Sequence, residues 1–292
     1  MRVVSVSKKF GDWIVVLMCV AVLAICLLPM LNILARSLSG QIALIQGQVS
    51  FVPKQFTWDN YRFVFGDPAF TRSMLWTAIL TVIVTVFSLS LTVFAAFPLI
   101  YNLKGKRVFN IFIIFTMYFS AGIIPHYILM RDLDLLNNPL VLILPGAFSV
   151  FNMIILRSFF YNIPESLRES AEIDGANPFV VLVKIYLPLS LPVLATLSLF
   201  YAVGRWNGFA DALMYLPAAR DYHPIQLFLF NIINNITGID VATQEGIAGN
   251  IPVASEGMTA AAIMFATVPI LLMYPWLQRY FIAGVTLGAV KG

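Results

Sequence analysis

The sequence predicts an all-α integral membrane protein with six transmembrane helices. Charged residues make up only 11% of the 292 residues, whereas a soluble globular chain carries roughly 25%. Hydrophobic residues make up 60%, and the mean hydropathy is +0.88. Several apolar runs reach about 20 residues, the length that a helix needs to cross a hydrocarbon core of about 30 Å. The runs are continuous and do not alternate with polar residues, which favours helices over the strands of a barrel.

The first predicted span covers residues 13–35 and follows a short N-terminal segment, residues 1–12. The apolar region of a signal peptide has roughly 7–15 residues, so we expect this longer run to be a retained transmembrane helix. Cys19 and Cys26 lie within it, on roughly one helix face. We interpret both as buried small hydrophobic residues and predict neither a disulfide framework nor a metal site.

A loop over residues 36–73 follows, with the aromatic-rich stretch FTWDNYRFVF. Residues 74–283 are predicted to form a core of five further helices, which includes a second long loop over residues 214–257 and is followed by a tail, residues 284–292. Loops of this size either dock a partner or pack over the helices. The five predicted spans are residues 74–100, 108–130, 139–160, 189–213 and 258–283.

The distribution of basic residues predicts the orientation of the chain. A net charge of +4 could indicate nucleic-acid binding, but the 18 Lys and Arg residues are scattered between apolar segments and form no basic face. Eleven of them fall in the N-terminus, the second and fourth loops and the tail, six fall in the opposite loops, and Arg205 lies within the fifth span. This excess places both termini and the loop over residues 162–188 in the cytoplasm.

An acidic passage, ESLRESAEIDGANPFVVLVKIYLP, occupies residues 165–188 of this otherwise apolar chain. Pro164 and Glu165 suit the first turn of a helix, where proline needs no N–H and a carboxylate faces the positive end of the dipole. Glu165, Glu169 and Glu172 have the spacing i, i+4, i+7 and so share one face. The passage therefore begins with a short helix that is too polar to span a membrane.

The passage then turns and restarts as a second helix. Gly175 suits the left-handed position after a helix end, and Asn177-Pro178 suits the start of the next helix, which runs to Pro188. A solvated hairpin and a helix on the lipid headgroups are both alternatives. Anionic lipids repel an acidic helix, so the pattern favours a protein partner that offers a groove and positive charge.

The same residues resemble a known motif. Glu169-Ser170-Ala171, Gly175 and Ile185-Tyr186-Leu187-Pro188 match, at the same spacing, the EAA loop of permease subunits in binding-protein-dependent ABC importers. Ser170 replaces the first alanine of the motif, which is a change between small residues. The resemblance extends along nearly the whole chain.

Two further segments resemble the carbohydrate-uptake, maltose-type branch of this family. Pro53 and the stretch Phe56–Tyr61 look like the segment before its second helix, and Trp206-Asn207-Gly208-Phe209 is similar to its W-N-x-F motif. Within that branch the chain most resembles permeases for complex oligosaccharides, such as the second permease subunit of the alginate importer.

The resemblance implies a type I ABC importer permease fold in a bacterial cytoplasmic membrane. It implies that the hairpin is the coupling helix, which sits in a cleft of one subunit of an ATPase dimer. It also implies that the chain pairs with a second permease and an extracytoplasmic binding protein to move a carbohydrate by alternating access. This chain would hold no cofactor, because it has no phosphate-binding loop, and ATP and Mg²⁺ would bind the ATPase. The coupling residues implied are Glu169, Ser170, Ala171, Asp174, Gly175, Ile185, Leu187 and Pro188.

Charged and aromatic residues at the fifth span are candidates for the translocation path or its gate. Arg205 and Asp211 lie inside or at the edge of the span, but six residues apart they fall on different helix faces, so an anchor at the membrane interface is the alternative. Trp206 and Asn207 could line a sugar path or belong to an aromatic belt. No catalytic motif or metal-ligand spacing is present.

Three other functions stay open at this point. A permease for a non-sugar solute would share the EAA loop. An ion-coupled transporter should show broken helices and paired acids at mid-bilayer, and the sequence has no such pair of acids. A membrane enzyme would need a polar catalytic cluster near one interface.

Overall fold

A computed structural model of the chain describes residues 6–237 and 256–289, which form helices and no β-strand. The N-terminal five residues, part of the predicted loop over residues 214–257 and the end of the tail lie outside the described residues. The α-helices of the described part are α1 (Val6–Ser37), α2 (Gln41–Ile45), α3 (Asp59–Gly66), α4 (Pro68–Ala96), α5 (Lys106–Tyr118), α6 (Ile123–Asp132), α7 (Val150–Tyr161), α8 (Glu165–Ile173), α9 (Pro178–Val181), α10 (Leu187–Leu189), α11 (Leu191–Asn207), α12 (Ala210–Tyr215), α13 (Ile225–Thr237) and α14 (Glu256–Ala289).

Three helical stretches of the described part are long and apolar enough to cross a membrane, namely Asp12–Ser37, Pro68–Ile100 and Glu256–Met273. Two bent helix pairs pass the same test when each pair is counted as one span. The all-helical, multi-pass membrane class that the sequence predicts is therefore confirmed, whereas the count of six spans stays a prediction.

The predicted third span, residues 108–130, is not one helix. Its two halves, α5 and α6, meet at an angle of 110°. Pro125 has no N–H and its ring would clash with the carbonyl of the residue four positions earlier, so a straight helix cannot continue through this point. Gly122 takes the positive φ of +88° that starts the new helix.

The predicted fourth and fifth spans are also interrupted. Of residues 139–160, Pro139–Leu142 forms a 3₁₀ turn, and α7 begins only at Val150. Of residues 189–213, α11 ends at Asn207 and α12 begins at Ala210. At the start of this span the chain bends by 84° between Pro178–Leu189 and Leu191–Asn207, because Pro192 cannot donate a hydrogen bond to the carbonyl of residue 188. Apolar composition predicted where these spans lie but not how sharply the chain bends at them.

Most side chains of α1 between Trp13 and Leu34 are exposed. The helix is apolar around its whole circumference, as expected of a helix surrounded by lipid. Cys19 and Cys26 are free and exposed on it, so the interpretation of both as buried residues was wrong. The sequence shows that the helix is apolar, but it does not show whether protein or lipid covers it.

The described residues form two compact units, and the first comprises those within residues 6–71, 229–237 and 256–268. Within it the predicted loop over residues 36–73 is an ordered structure. The buried side chain of Asn60 donates to the carbonyls of Ser37 (3.1 Å) and Ser39 (2.9 Å), and the hydroxyl of Ser39 accepts from the backbone N–H of Lys54 (3.0 Å). Asn60 therefore fixes the end of α1 against the segment that follows it.

The second unit comprises residues 72–228 and 269–289, and its core contains side chains of α4, α5, α7, α9 and α11. Phe160, Leu156, Val181 and Leu197 are almost completely buried there. This core carries the acidic hairpin, whose second arm supplies Val181.

We predict that Gly257→Ala destabilises the first unit. A Cβ at Gly257 would lie 2.6 Å from the amide atoms of Asn60, so the amide would have to move away from its two carbonyl partners. Losing these buried hydrogen bonds should cost about 1–3 kcal/mol of unfolding free energy. Thermal unfolding of the purified protein in detergent would measure the loss. Gly66→Ala is the control, because a Cβ there would meet nothing within 4 Å, and an equal loss in both variants would contradict the prediction.

Candidate functional site

The acidic hairpin begins with α8 and closes at Gly175 as the sequence predicts. Gly175 has a φ of +82°, and its N–H donates to the carbonyl of Glu172 at 3.1 Å. The N–H of Ala176 donates to the carbonyl of Ala171 at 2.9 Å. These two bonds form a Schellman motif, which satisfies the last carbonyls of the helix and makes the turn tight and defined.

The start of each arm depends on a proline. Pro164 occupies the cap position before α8 and not its first turn, while Glu165 is the first helical residue. In the second arm, the Asn177 side chain accepts a hydrogen bond from the N–H of Val180 at 2.9 Å, and Pro178 is the first helical residue, as predicted. The sequence does not predict the π-helical turn over Leu182–Tyr186, which follows α9.

The second arm is anchored by an aromatic cluster, defined here as Phe97, Phe160 and Tyr186. The ring centroids of Phe97 and Tyr186 lie 5.3 Å apart, as do those of Phe160 and Tyr186, and both pairs meet edge to face. Val181 and Leu182 are buried beside them. The cluster joins the hairpin to the end of α4 and to α7.

The first arm is anchored by Arg168, which the sequence analysis did not single out. Its side chain is only 13% exposed and forms ion pairs with Glu165 and Glu172 of the same helix. Its guanidinium also lies 4.8 Å from the ring centroid of Tyr101. The basic residue at i+3 between two acids was a visible signal, but its aromatic partner lies in a distant segment.

The acids of α8 therefore do not act as one face. Glu165 and Glu172 pair with Arg168, whereas Glu169 forms no ion pair among the described residues and is exposed. Ser170 and Asp174 are exposed as well, and Ile173 is 86% exposed. We call the exposed set Glu169, Ser170, Ile173 and Asp174 the outer face of the hairpin.

The remaining residues of the motif support this arrangement. Ala171, Ile185 and Leu187 are partly buried and pack against the core, and Pro188 is exposed near the bend that leads into α11. A hairpin with a packed inner side and an acidic, partly apolar outer face is suited to dock in a groove of another protein.

Two phenols at the base of the hairpin stay neutral at physiological pH. Burial raises the pKa of Tyr101, and the negative charge of Glu172 raises it further, against the opposing effect of Arg168. Burial also raises the pKa of Tyr186, with Arg168 acting in the opposite direction. Both rings thus remain uncharged packing groups.

The structure brings Arg205 and Asp211 together. α11 ends at Asn207 and the chain turns at Gly208, so the carboxylate of Asp211 returns to the guanidinium, with Nη2–Oδ1 at 3.1 Å. Arg205 also donates to the carbonyls of Leu142 (3.2 Å) and Gly208 (2.9 Å) and is 9% exposed. The expectation that the two charges lie on different faces was wrong, because it assumed that the helix continues. Trp206 is buried, and Asn207 is exposed.

Asn137 is a second residue that sequence reasoning missed. It adopts a positive φ of +56°, its N–H donates to the carbonyl of Tyr215 at 2.8 Å, and its side chain accepts from the N–H of Ala218 at 2.9 Å. It fixes the start of the predicted loop over residues 214–257. The Asn-Asn-Pro sequence is a turn signal, but the partners of the turn are about 80 positions away.

Within the described part, no group of His, Cys, Asp or Glu could hold a metal ion.

Comparison with known proteins shows that this chain is similar to membrane transport proteins. A sequence model described as "Binding-protein-dependent transport system inner membrane component" matches residues 70–287. The polygalacturonan/rhamnogalacturonan transport system permease protein YtcP of Bacillus subtilis is 39% identical over 92% of this chain and 93% of its own length. Protein LplC of the same organism is 41% identical over 92% of this chain and 90% of its own length.

A solved structure shows a similar fold. A chain of a bacterial ABC transporter involved in the import of the acidic polysaccharide alginate superimposes with a TM-score of 0.86 at 34% identity. The match covers 96% of this chain and all of the other.

We predict that Asp211→Ala destabilises the second unit, because it leaves the buried guanidinium of Arg205 without its counter-charge. Breaking a buried ion pair in this way costs about 3–5 kcal/mol, and Asp211 is partly exposed, so the loss should be near the lower end. The double variant Arg205→Met/Asp211→Leu should lose less unfolding free energy than Asp211→Ala, because it leaves no unpaired charge. Thermal unfolding in detergent measures both.

Arg131→Ala is the matched control. Arg131 and Asp132 form an exposed ion pair, which should contribute about 0–1 kcal/mol. A loss for Asp211→Ala no greater than that of the control would show that the pair is not a structural clamp.

Proposed function

Because the chain belongs to the family of binding-protein-dependent transport system inner membrane components, we propose that it moves an oligosaccharide into the cytoplasm as a permease subunit of an ATP-driven ABC importer. The family match covers residues 70–287, which includes the whole acidic hairpin. The observation that carries the proposal is this hairpin, whose inner side is packed and whose outer face is free to dock. The chain is a transport subunit and not an enzyme.

The partners follow from the same membership. A second permease completes the translocation path, an ATPase dimer binds ATP and Mg²⁺, and an extracytoplasmic binding protein delivers the solute. The excess of Lys and Arg in the N-terminus and in the second and fourth loops supports an orientation with both termini in the cytoplasm. The hairpin then faces the ATPase.

We infer that the outer face is the surface that the ATPase contacts. Glu169 and Asp174 offer negative charge, and Ile173 offers apolar surface. Ser170 has a small side chain, which leaves room for a partner to approach the helix between them. Gly175 supplies the turn, while Ala171, Ile185, Leu187 and Pro188 form its packed or adjoining base. When the ATPase dimer closes on ATP, the docked hairpin moves and the paired permeases change between two states.

The substrate class is supported by two relatives. The name of YtcP refers to polygalacturonan, a polymer of acidic sugars, and the transporter of the similar structure imports the acidic polysaccharide alginate. We infer an acidic oligosaccharide as the substrate of this chain. We further propose that exposed Asn207 lines the path beside Trp206, and that the Arg205–Asp211 ion pair holds this segment in place.

The loop over residues 214–257 is proposed to contact the binding protein on the extracytoplasmic side. Its first part is held firmly: Arg72 forms an ion pair with Asp221, the Trp76 and Tyr222 rings meet at 5.2 Å, and the N–H of Ile225 donates to the Thr77 hydroxyl at 2.7 Å. Residues 238–255 lie outside the described residues.

We predict that Glu169→Lys uncouples ATP hydrolysis from uptake while the protein still inserts and assembles. The substitution reverses the unpaired charge on the outer face and leaves the packed inner side intact. Gly175→Val should have the same effect, because a β-branched residue is strained at a φ of +82°. Solute uptake and ATP hydrolysis by the complex in proteoliposomes are the two measurements.

Each variant has a control. Asp132→Lys reverses an exposed charge outside the hairpin and should transport normally. Gly175→Asn should also retain coupling, because asparagine adopts the left-handed conformation at low cost. Normal uptake per ATP in both Glu169→Lys and Gly175→Val would refute the coupling role.

We predict that acidic oligosaccharides stimulate ATP hydrolysis by the purified complex together with its binding protein, and that neutral oligosaccharides of equal length do so much less. A panel of oligogalacturonates, alginate fragments and malto-oligosaccharides tests this directly. Deletion of residues 238–255 should remove the stimulation and leave the basal rate unchanged. Stimulation by neutral sugars alone would overturn the acidic class, and stimulation only by a non-sugar solute would overturn carbohydrate import.

A further inference from the structure

The contact between Arg168 and Tyr101 joins two segments that the aromatic cluster does not join. Arg168 belongs to α8, the first arm of the hairpin, whereas Tyr101 follows the end of the long helix α4. The guanidinium lies 4.8 Å from the ring centroid, which is within the range of a cation–π interaction. Among the described residues, this is the ion or cation–π contact that connects α8 to the rest of the unit.

The environment of Arg168 holds its side chain in one position. Glu165 and Glu172 pair with it from one turn before and one turn after, and only 13% of the side chain is exposed. A cation placed between two carboxylates and an aromatic face has lost much of its contact with water, which strengthens each of these interactions. Arg168 is therefore a fixed part of α8 and moves with it.

Tyr101 is held as firmly on its own side. Its ring meets Phe97 edge to face at 5.4 Å, and Phe97 belongs to the aromatic cluster at the end of α4. Its carbonyl accepts a hydrogen bond from the ammonium group of Lys106 at 3.0 Å. That ammonium group also lies 5.3 Å from the ring centroid of Tyr161 at the end of α7. A displacement of Tyr101 is therefore passed to α4 and α7.

The two arms of the hairpin thus have different connections. The second arm continues through the chain into α11, across the 84° bend. The first arm has no such covalent route to α4, because nearly seventy residues separate the two helices in the sequence. If the hairpin moved without the Arg168–Tyr101 contact, α11 would follow it through the backbone, but α4 would follow only through the contacts of the second arm and the packing of Ala171 against the core.

We propose that Arg168 is a positioning residue that ties the docked helix α8 to α4 through Tyr101, so that movement of the hairpin displaces both helices together. This inference rests on the proposed function of the hairpin as the coupling element. Arg168 does not touch the ATPase in this scheme, since its side chain faces the inner side. It determines how much of the hairpin's movement reaches the membrane helices.

The experiment measures solute taken up per ATP hydrolysed, in proteoliposomes that contain the complete complex, with ATPase activity normalised to assembled complex. Arg168→Ala removes the cation, and Tyr101→Leu removes the aromatic face while the two ion pairs of Arg168 remain. We expect each to lower uptake per ATP by about fivefold or more, the size of a typical coupling between sites, with hydrolysis retained. Tyr101→Phe keeps the aromatic face and should keep the ratio.

The double variant Arg168→Ala/Tyr101→Leu should lower uptake per ATP no further than the single variants do, because each single substitution already removes the same contact. Lys104→Ala is the matched control: it removes an exposed positive charge from the same loop and should leave the ratio unchanged. If Arg168→Ala fails to assemble, Tyr101→Leu carries the test alone. An unchanged ratio in Tyr101→Leu, or additive losses in the double variant, would overturn the proposal.

The same experiment separates this inference from the proposed function. A wild-type complex that takes up oligosaccharide with ATP, together with unchanged ratios in the variants, would refute the role of Arg168 and leave the transport function in place. A wild-type complex that takes up no carbohydrate would refute the proposed function, and the variants would then be compared with the solute that it does transport.

Discussion

The edge-to-face packing of Tyr186 against Phe97 and Phe160 is the interaction on which the hairpin depends, because these three rings belong to three separate parts of the chain. Tyr186 lies in the second arm, Phe97 follows α4, and Phe160 lies in the last turn of α7. Without this contact the second arm of the hairpin would lose its aromatic connection to both α4 and α7. Aromatic pairs of this kind contribute about 0.5–1.5 kcal/mol beyond the area that they bury.

The division of the hairpin into an inner and an outer side explains how one short segment can be held rigidly and still expose a surface that another chain can bind. The inner side holds Arg168 between two carboxylates and packs Val181 and Leu182 into the core. On the outer face Glu169 is exposed and forms no ion pair within the described part of the chain, and the side chain of Ile173 is exposed as well. A coupling element of an ABC importer permease needs both properties, since it must bind a separate chain and transmit its movement without deforming.

Local chemistry predicted the hairpin well. Gly175 and the Asn177-Pro178 pair carry their signals within a few residues, and the structure places them in the turn and at the start of the second arm as expected. The partners of Arg168, Asp211 and Asn137 could not be predicted in the same way. The partner of Asp211 depends on the turn at Gly208, where α11 ends, and the partners of Arg168 and Asn137 lie in segments that are distant in the sequence.

The ion pairs of Arg168 with Glu165 and Glu172 leave Glu169 and Asp174 as the carboxylates of α8 and its turn that form no ion pair among the described residues. Any attraction between these carboxylates and a basic partner surface is screened by salt over a distance of about 10 Å at 0.1 M ionic strength. A hydrophobic contact of the proposed partner with the exposed Ile173 side chain would not be screened. Ionic strength should therefore slow the first encounter of the two chains more than it shortens the lifetime of the assembled complex.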